Sequence, residues 1–122
     1  MNINKYNKKP LFEYDNDKKR EFINLKQLVN NNGMNESYVV HALFINTKSK
    51  FGDAPVVITD THMVNAPEHL LEGVQDMLRD EEVIDLVNKS KIGFTIYAYQ
   101  GKNGDGYSIE WYQVTDSNGY TT

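Results

Sequence analysis

Near the C-terminal end, "KIGFTIYAYQGKNGDGYSIEWYQV" (residues 91–114) sets two alternating, aromatic-rich runs on either side of a break made of glycine, asparagine and aspartate. Asn, Gly and Asp supply the positive φ angles that a short hairpin connection needs. The two runs are therefore expected to pair as antiparallel neighbours with "GKNGDG" as their tip. A phosphate-binding loop is excluded, because Lys102 is not followed by Ser or Thr at the start of a helix. No helix begins there to supply a dipole for a dinucleotide, and the spacing and closing glutamate of an EF-hand are absent. Alternation puts Ile92, Phe94, Ile96 and Ala98 on one face and Gly93, Thr95, Tyr97 and Tyr99 on the other. The first set is the natural core face, so Tyr97 and Tyr99 point outward. On the returning run, Tyr107, Ile109 and Trp111 share a face opposite Glu110 and Tyr112. Burying Ile109 and Trp111 exposes Tyr112.

Upstream, residues 1–20 are polar and form a partly flexible N-terminal segment, residues 21–116 a single domain, and 117–122 a short tail. "EFINLKQLV" (21–29) suits either a bent first strand or a short helix; its periodicity does not separate them. "YVVHALFIN" (38–46) and "VVITDTHMV" (56–64) read as strands, joined by the loop "TKSKFGDAP". Asn65, Pro67 and Glu68 make a capping box and first turn, followed by a helical face of Leu70, Leu71, Val74, Met77 and Leu78. Continuing that period would bury Glu81 or Glu82, so the helix ends near Arg79. Asp80 then caps a second short helix with Val83, Ile84 and Val87 inward. With residues 21–29 as a strand, the order is three strands, a helical segment at about 66–88, then two strands. That is the order of an OB-fold, a mostly β five-stranded Greek-key barrel with its helix between strands 3 and 4. Other small α+β folds share it.

Charge restricts where a polyanion could bind. The net charge is −4 over 122 residues. The stretch from Glu68 to Asp85 carries −6, which leaves the remainder at +2. A neutral-to-basic face can therefore exist away from the acidic segment, and any nucleic acid is expected on the opposite side. There is no cysteine, hence no disulfide or thiolate chemistry. The N-terminus lacks an apolar signal region, and no apolar run approaches the ~20 residues of a membrane span. A soluble cytoplasmic protein is expected.

An enzyme is not expected. His41, His62 and His69 form no zinc-binding pattern, and His41 in an apolar strand reads as a hydrogen-bonded or surface histidine. Asp53, Asp60 and Glu110 have no spacing that would gather them round a metal. Glu68, Glu72, Asp76 and Asp80 make a solvated stripe. No cofactor or metal is expected. The outward tyrosines can instead be cross-strand packing or a stacking platform for the bases of a single strand. Lys48 and Lys50 lead into Phe51, and Lys102 sits on the hairpin tip, where ammonium groups can meet phosphates. The candidate binding residues are therefore Lys48, Lys50, Phe51, Tyr97, Tyr99, Lys102, Tyr107 and Tyr112. The other reading is a protein-interaction or inhibitory module that uses the same face as a hot-spot patch.

The run "YVVHALFINTKSKFGDAPVVITD", the helical "NAPEHLLEGVQDML" and the hairpin "IGFTIYAYQGKNGDGYSIEWYQV" together resemble a small OB-fold family. Its members are single-stranded-DNA-binding proteins of phages and mobile elements of Gram-positive bacteria, as in lactococcal siphophages. The resemblance covers roughly residues 21 to 115 and lies in overall pattern, with no single diagnostic motif. It implies sequence-non-specific protection of single-stranded DNA in bacteriophage DNA replication and recombination. It also implies a homo-oligomer (dimer or tetramer), with phage recombination or replication proteins as further partners. Bacterial single-stranded-DNA-binding proteins carry a glycine- and proline-rich linker with an acidic tip. After the last strand this sequence reads "TDSNGYTT", so recruitment is expected to use the folded surface.

Overall fold

The computed structural model describes residues 11–15, 17–48, 52–102 and 104–114. Residues 21–32 are both strand and helix: β1 (Glu21–Asn24) runs directly into α1 (Leu25–Asn32). Asn24 makes that change of direction. Its side chain accepts from Gln27 N at 2.8 Å while the Gln27 side chain accepts from Asn24 N at 2.9 Å, a reciprocal capping box. Leu25 and Leu28 face inward, and Gly33 closes the helix at φ 89°, a conformation that favours glycine.

The run 38–46 also divides, into β2 (Ser37–Val39) and β3 (Ala42–Asn46). Two successive peptides carry the division: Val40 N donates to Ile92 O at 2.9 Å, and His41 N donates to Ile58 O at 2.8 Å. One continuous run thereby belongs to two sheets. β4 (Ala54–Ile58) and β5 (His62–Asn65) form a tight hairpin, turned by Thr59, whose Oγ1 accepts from His62 N. A short 3-10 helix (Glu68–Leu70), α2 (Leu71–Leu78) and α3 (Glu81–Asn88) follow, then β6 (Ile92–Gly101) and β7 (Gly104–Gln113). The strands form a sheet in the order β1-β5-β4-β3, with β1 parallel to β5, and a second sheet in the order β2-β6-β7.

The protein is thus mostly β with its helical segment before the last two strands, as the sequence order requires. The five-stranded closed barrel is not what the strands make. There are seven strands among the described residues, in two sheets not joined along β5 and β7. The physical reason is β1, which occupies the edge of β5 that would otherwise be free to pair. The expected capping box at Asn65 and Glu68 is absent as well. Asn65 is still in β5, and Ala66 N still donates to Pro55 O at 3.0 Å, so the sheet ladder outlasts the cap position. The helical segment begins instead after Pro67, with no side-chain cap. The second half follows the sequence closely: α2 ends before Arg79, and Asp80 caps α3 by accepting from Glu82 N at 3.0 Å and Val83 N at 3.4 Å.

Phe94, Leu28, Leu43, Ile58, Val64, Val74, Val87 and Ile109 are among the core residues, which come from both sheets and all three α-helices. Each such burial contributes roughly 1.5–3 kcal/mol against exposure. Phe12 joins them, and the segment around it is clipped to α3: Glu13 N donates to Asn88 Oδ1 and Asn88 Nδ2 donates to Leu11 O. Of residues 1–20, those around Phe12 and Arg20 are therefore tied to the body; Arg20 Nε donates to Thr59 O at 2.7 Å.

Candidate functional site

β6 and β7 pair over ten residues each, but β2 covers β6 only from Gly93 to Thr95. Beyond Thr95 the hairpin is, among the described residues, a ribbon two strands wide. Its connection needs glycine at one point, Gly104, where φ is 115°. On one face of the ribbon stand Tyr97 and Tyr99, 45% and 38% exposed, as alternation predicts. Tyr99 lies along Gly106, where an added Cβ would come within 2.9 Å of its hydroxyl; glycine there lets the ring settle on the strand. His69, from the 3-10 helix, stands edge-on to Tyr99 with ring centroids 5.7 Å apart and planes at 88°. Its Nε2 and the hydroxyl of buried Ser108 are hydrogen-bonded at 2.8 Å. That bond fixes the start of the helical segment against the ribbon. His69, Tyr97 and Tyr99 line an open groove of about 510 Å³.

The other sequence candidates do not gather at this groove. Tyr112 shares the face of Tyr97 and Tyr99 but sits at the ribbon's base, opposite Gly93 and pressed onto it. It is half-buried rather than exposed, because a glycine partner leaves a slot that the ring fills. Tyr107 pairs with Ala98 on the opposite face of the ribbon and is half-buried. Ala98, read as a core position, is exposed, since the ribbon has left the core by that rung. Phe94 is buried edge-on to Trp111 and stacked with Tyr38 at 5.2 Å, which closes the base of the hairpin. Lys102 is exposed at the tip. Lys48 is exposed just past β3, where its N–H donates to Asn46 Oδ1 at 3.0 Å. Lys50 and Phe51 lie outside the described residues.

His69 was no sequence candidate, and only the register that brings Ser108 to it reveals the contact. The acidic segment is consequently not opposite the tyrosines: its first turn borders them. Elsewhere, His41 Nε2 contacts Asp60 Oδ1 at 2.6 Å, which satisfies a half-buried ring. No three His, Asp or Glu side chains converge as a metal site among the described residues. No helix among them is long and apolar enough to cross a membrane. Comparison with protein-family models, curated proteins and solved structures found no match.

Proposed function

We propose that this protein binds single-stranded DNA without sequence preference, with Tyr97 and Tyr99 stacking successive bases and Lys102 meeting phosphate at the tip. The observation that carries the reading is the exposed tyrosine pair on a two-stranded ribbon. Residues two apart on one strand are roughly 6.6 Å apart. Bases in a duplex strand rise only about 3.4 Å. Two adjacent bases can therefore each take a ring only if the strand is drawn out and unstacked, which selects single strands over duplex. Stacking is tolerant of sequence because every base has a π-face. Protection of single strands during phage replication and recombination, as an oligomer, is the role that the resemblance adds to this reading.

The fold proposed with it is an opened OB-like barrel. Three features support that: the run 37–46 shared between two sheets, the helical segment between β5 and β6, and the final hairpin. A protein-interaction module on the same face is the second reading, favoured by the acidic turn at its border. Fluorescence anisotropy of labelled oligo(dT) and of a duplex of equal length, titrated with salt, separates the two. Single strands should bind more tightly, with log K falling by about 0.7 per neutralised phosphate for each unit of log salt. Equal affinity for both, or no binding at low salt, rules out the first reading.

A further inference from the structure

The ribbon has a second face, and it borders a cavity of its own. A notch of about 570 Å³ opens where β5 and β7 fail to join, between the end of β5, the start of α1 and the distal hairpin. Its volume falls in the range of small-molecule sites, roughly 300–1,000 Å³. Tyr107 and Ala98 form one wall, Leu25 and Pro67 add apolar surface, and Lys26, Asn65 and Asp105 supply polar groups. Val114 N donates to Lys91 O, and alternation along the ladder then turns the peptide groups of Asp105 and Tyr107 toward the free edge of β7. Asn65 is half-buried with no side-chain hydrogen bond among the described residues, and Lys26 has no ion pair among them. An aromatic ring, a half-buried amide and a cation in one concavity, the last two unpaired among the described residues, suit three features of a nucleotide: base plane, base edge and phosphate.

We propose that this notch is a second nucleotide subsite, in which Tyr107 stacks a base, Asn65 lies at its edge and Lys26 meets its phosphate. The proposal rests on single-strand binding at Tyr97 and Tyr99. Beyond Thr95 neither edge of the ribbon has a neighbouring strand among the described residues, so a nucleic-acid strand passing round an edge or past Lys102 reaches both faces. Asp105 repels phosphate from its own side of the notch, which leaves the Lys26 side for the backbone.

The test is anisotropy titration of oligo(dT) from 3 to about 20 nucleotides against the full chain and four variants. Tyr107→Leu keeps apolar bulk against the core, and Lys26→Gln changes an exposed residue. Tyr97→Ala and Tyr99→Ala report on the first face. For long oligonucleotides, Tyr107→Leu should weaken binding about 5- to 100-fold, and Lys26→Gln should flatten the salt slope by about 0.7. Photo-crosslinking of 5-iododeoxyuridine oligonucleotides should label peptides containing Tyr107 as well as Tyr97 or Tyr99. Binding that needs Tyr97 and Tyr99 but is unchanged in both notch variants, with no cross-link to Tyr107, overturns the subsite alone. No binding of any oligonucleotide overturns the functional reading and the subsite together. A melting curve for Tyr107→Leu distinguishes lost stacking from lost fold, and if that variant unfolds, the Lys26→Gln slope decides.

Discussion

Tyr97 and Tyr99 are held differently, although alternation treats them alike. Tyr99 has a glycine floor and the edge of His69, whereas Tyr97 has no ring partner among the described residues. Alanine at either should weaken single-strand binding by ~1–3 kcal/mol, while phenylalanine retains most of it, because stacking needs the ring and not the hydroxyl. Melting temperatures should hardly move, since the core rung belongs to Phe94 and Ile96. Oligonucleotide titration beside a thermal melt checks both statements, and unchanged affinity in both alanine variants removes the pair from the site. His69 behaves otherwise. Its loss leaves the Ser108 hydroxyl buried without a partner, at a cost of ~1–3 kcal/mol. His69→Ala should therefore destabilise the fold, and His69→Ala with Ser108→Ala should cost less than the two changes summed. Urea denaturation of the three variants measures that coupling; strict additivity would mean the bond holds nothing.

The elements show which local signals reach through to structure. Asp80 could be read as a cap because nothing competes for it: the preceding helix has ended, and its carboxylate accepts two first-turn N–H groups. Asp80→Ala should cost ~1 kcal/mol, seen as a lowered urea midpoint with an unchanged slope. Asn65 carries the same cap chemistry and does not cap, because β5 continues through it, paired with Asn24 on one side and Val56 on the other. Its amide lines the notch instead. The cap that does form at the first helix, Asn24 with Gln27, lies in a segment whose hydrophobic spacing fits strand and helix equally, and both are there. Gly93 and Tyr112 make a similar case. Outward alternation exposes Tyr112 only if its cross-strand partner fills its own space, and a glycine does not. Gly93→Ala would drive a methyl group into Tyr112 and to within 2.8 Å of the Tyr38 carbonyl oxygen. Backbone cannot yield as a flexible side chain can, so that variant should lose ~1–3 kcal/mol.

Assembly is where sequence pattern stops. Each strand run is visible locally, but whether two sheets close depends on which edge a distant segment occupies, and β1 takes the edge of β5 through a parallel pairing that no turn announces. The seam that results makes the notch, and the same assembly brings the acidic segment to the tyrosine groove through His69. Charge counting alone placed that segment on the far side. Glu68 and Glu72 lie within a turn of His69 and are exposed, so their field reaches the groove, since screening acts over about 10 Å at 0.1 M salt. A phosphate backbone drawn across Tyr97 and Tyr99 must pass these carboxylates. Replacing both with glutamine should therefore raise single-strand affinity several-fold at low salt. The gain should shrink as salt rises and be nearly gone by about 1 M, where the screening length falls to ~3 Å. Because both side chains are exposed, stability should change little. Anisotropy titrations of the double variant at four salt concentrations read the effect directly. An affinity that does not rise at low salt, or that falls in a folded variant, would mean that the phosphate backbone does not pass these carboxylates and that the strand is not drawn across Tyr97 and Tyr99.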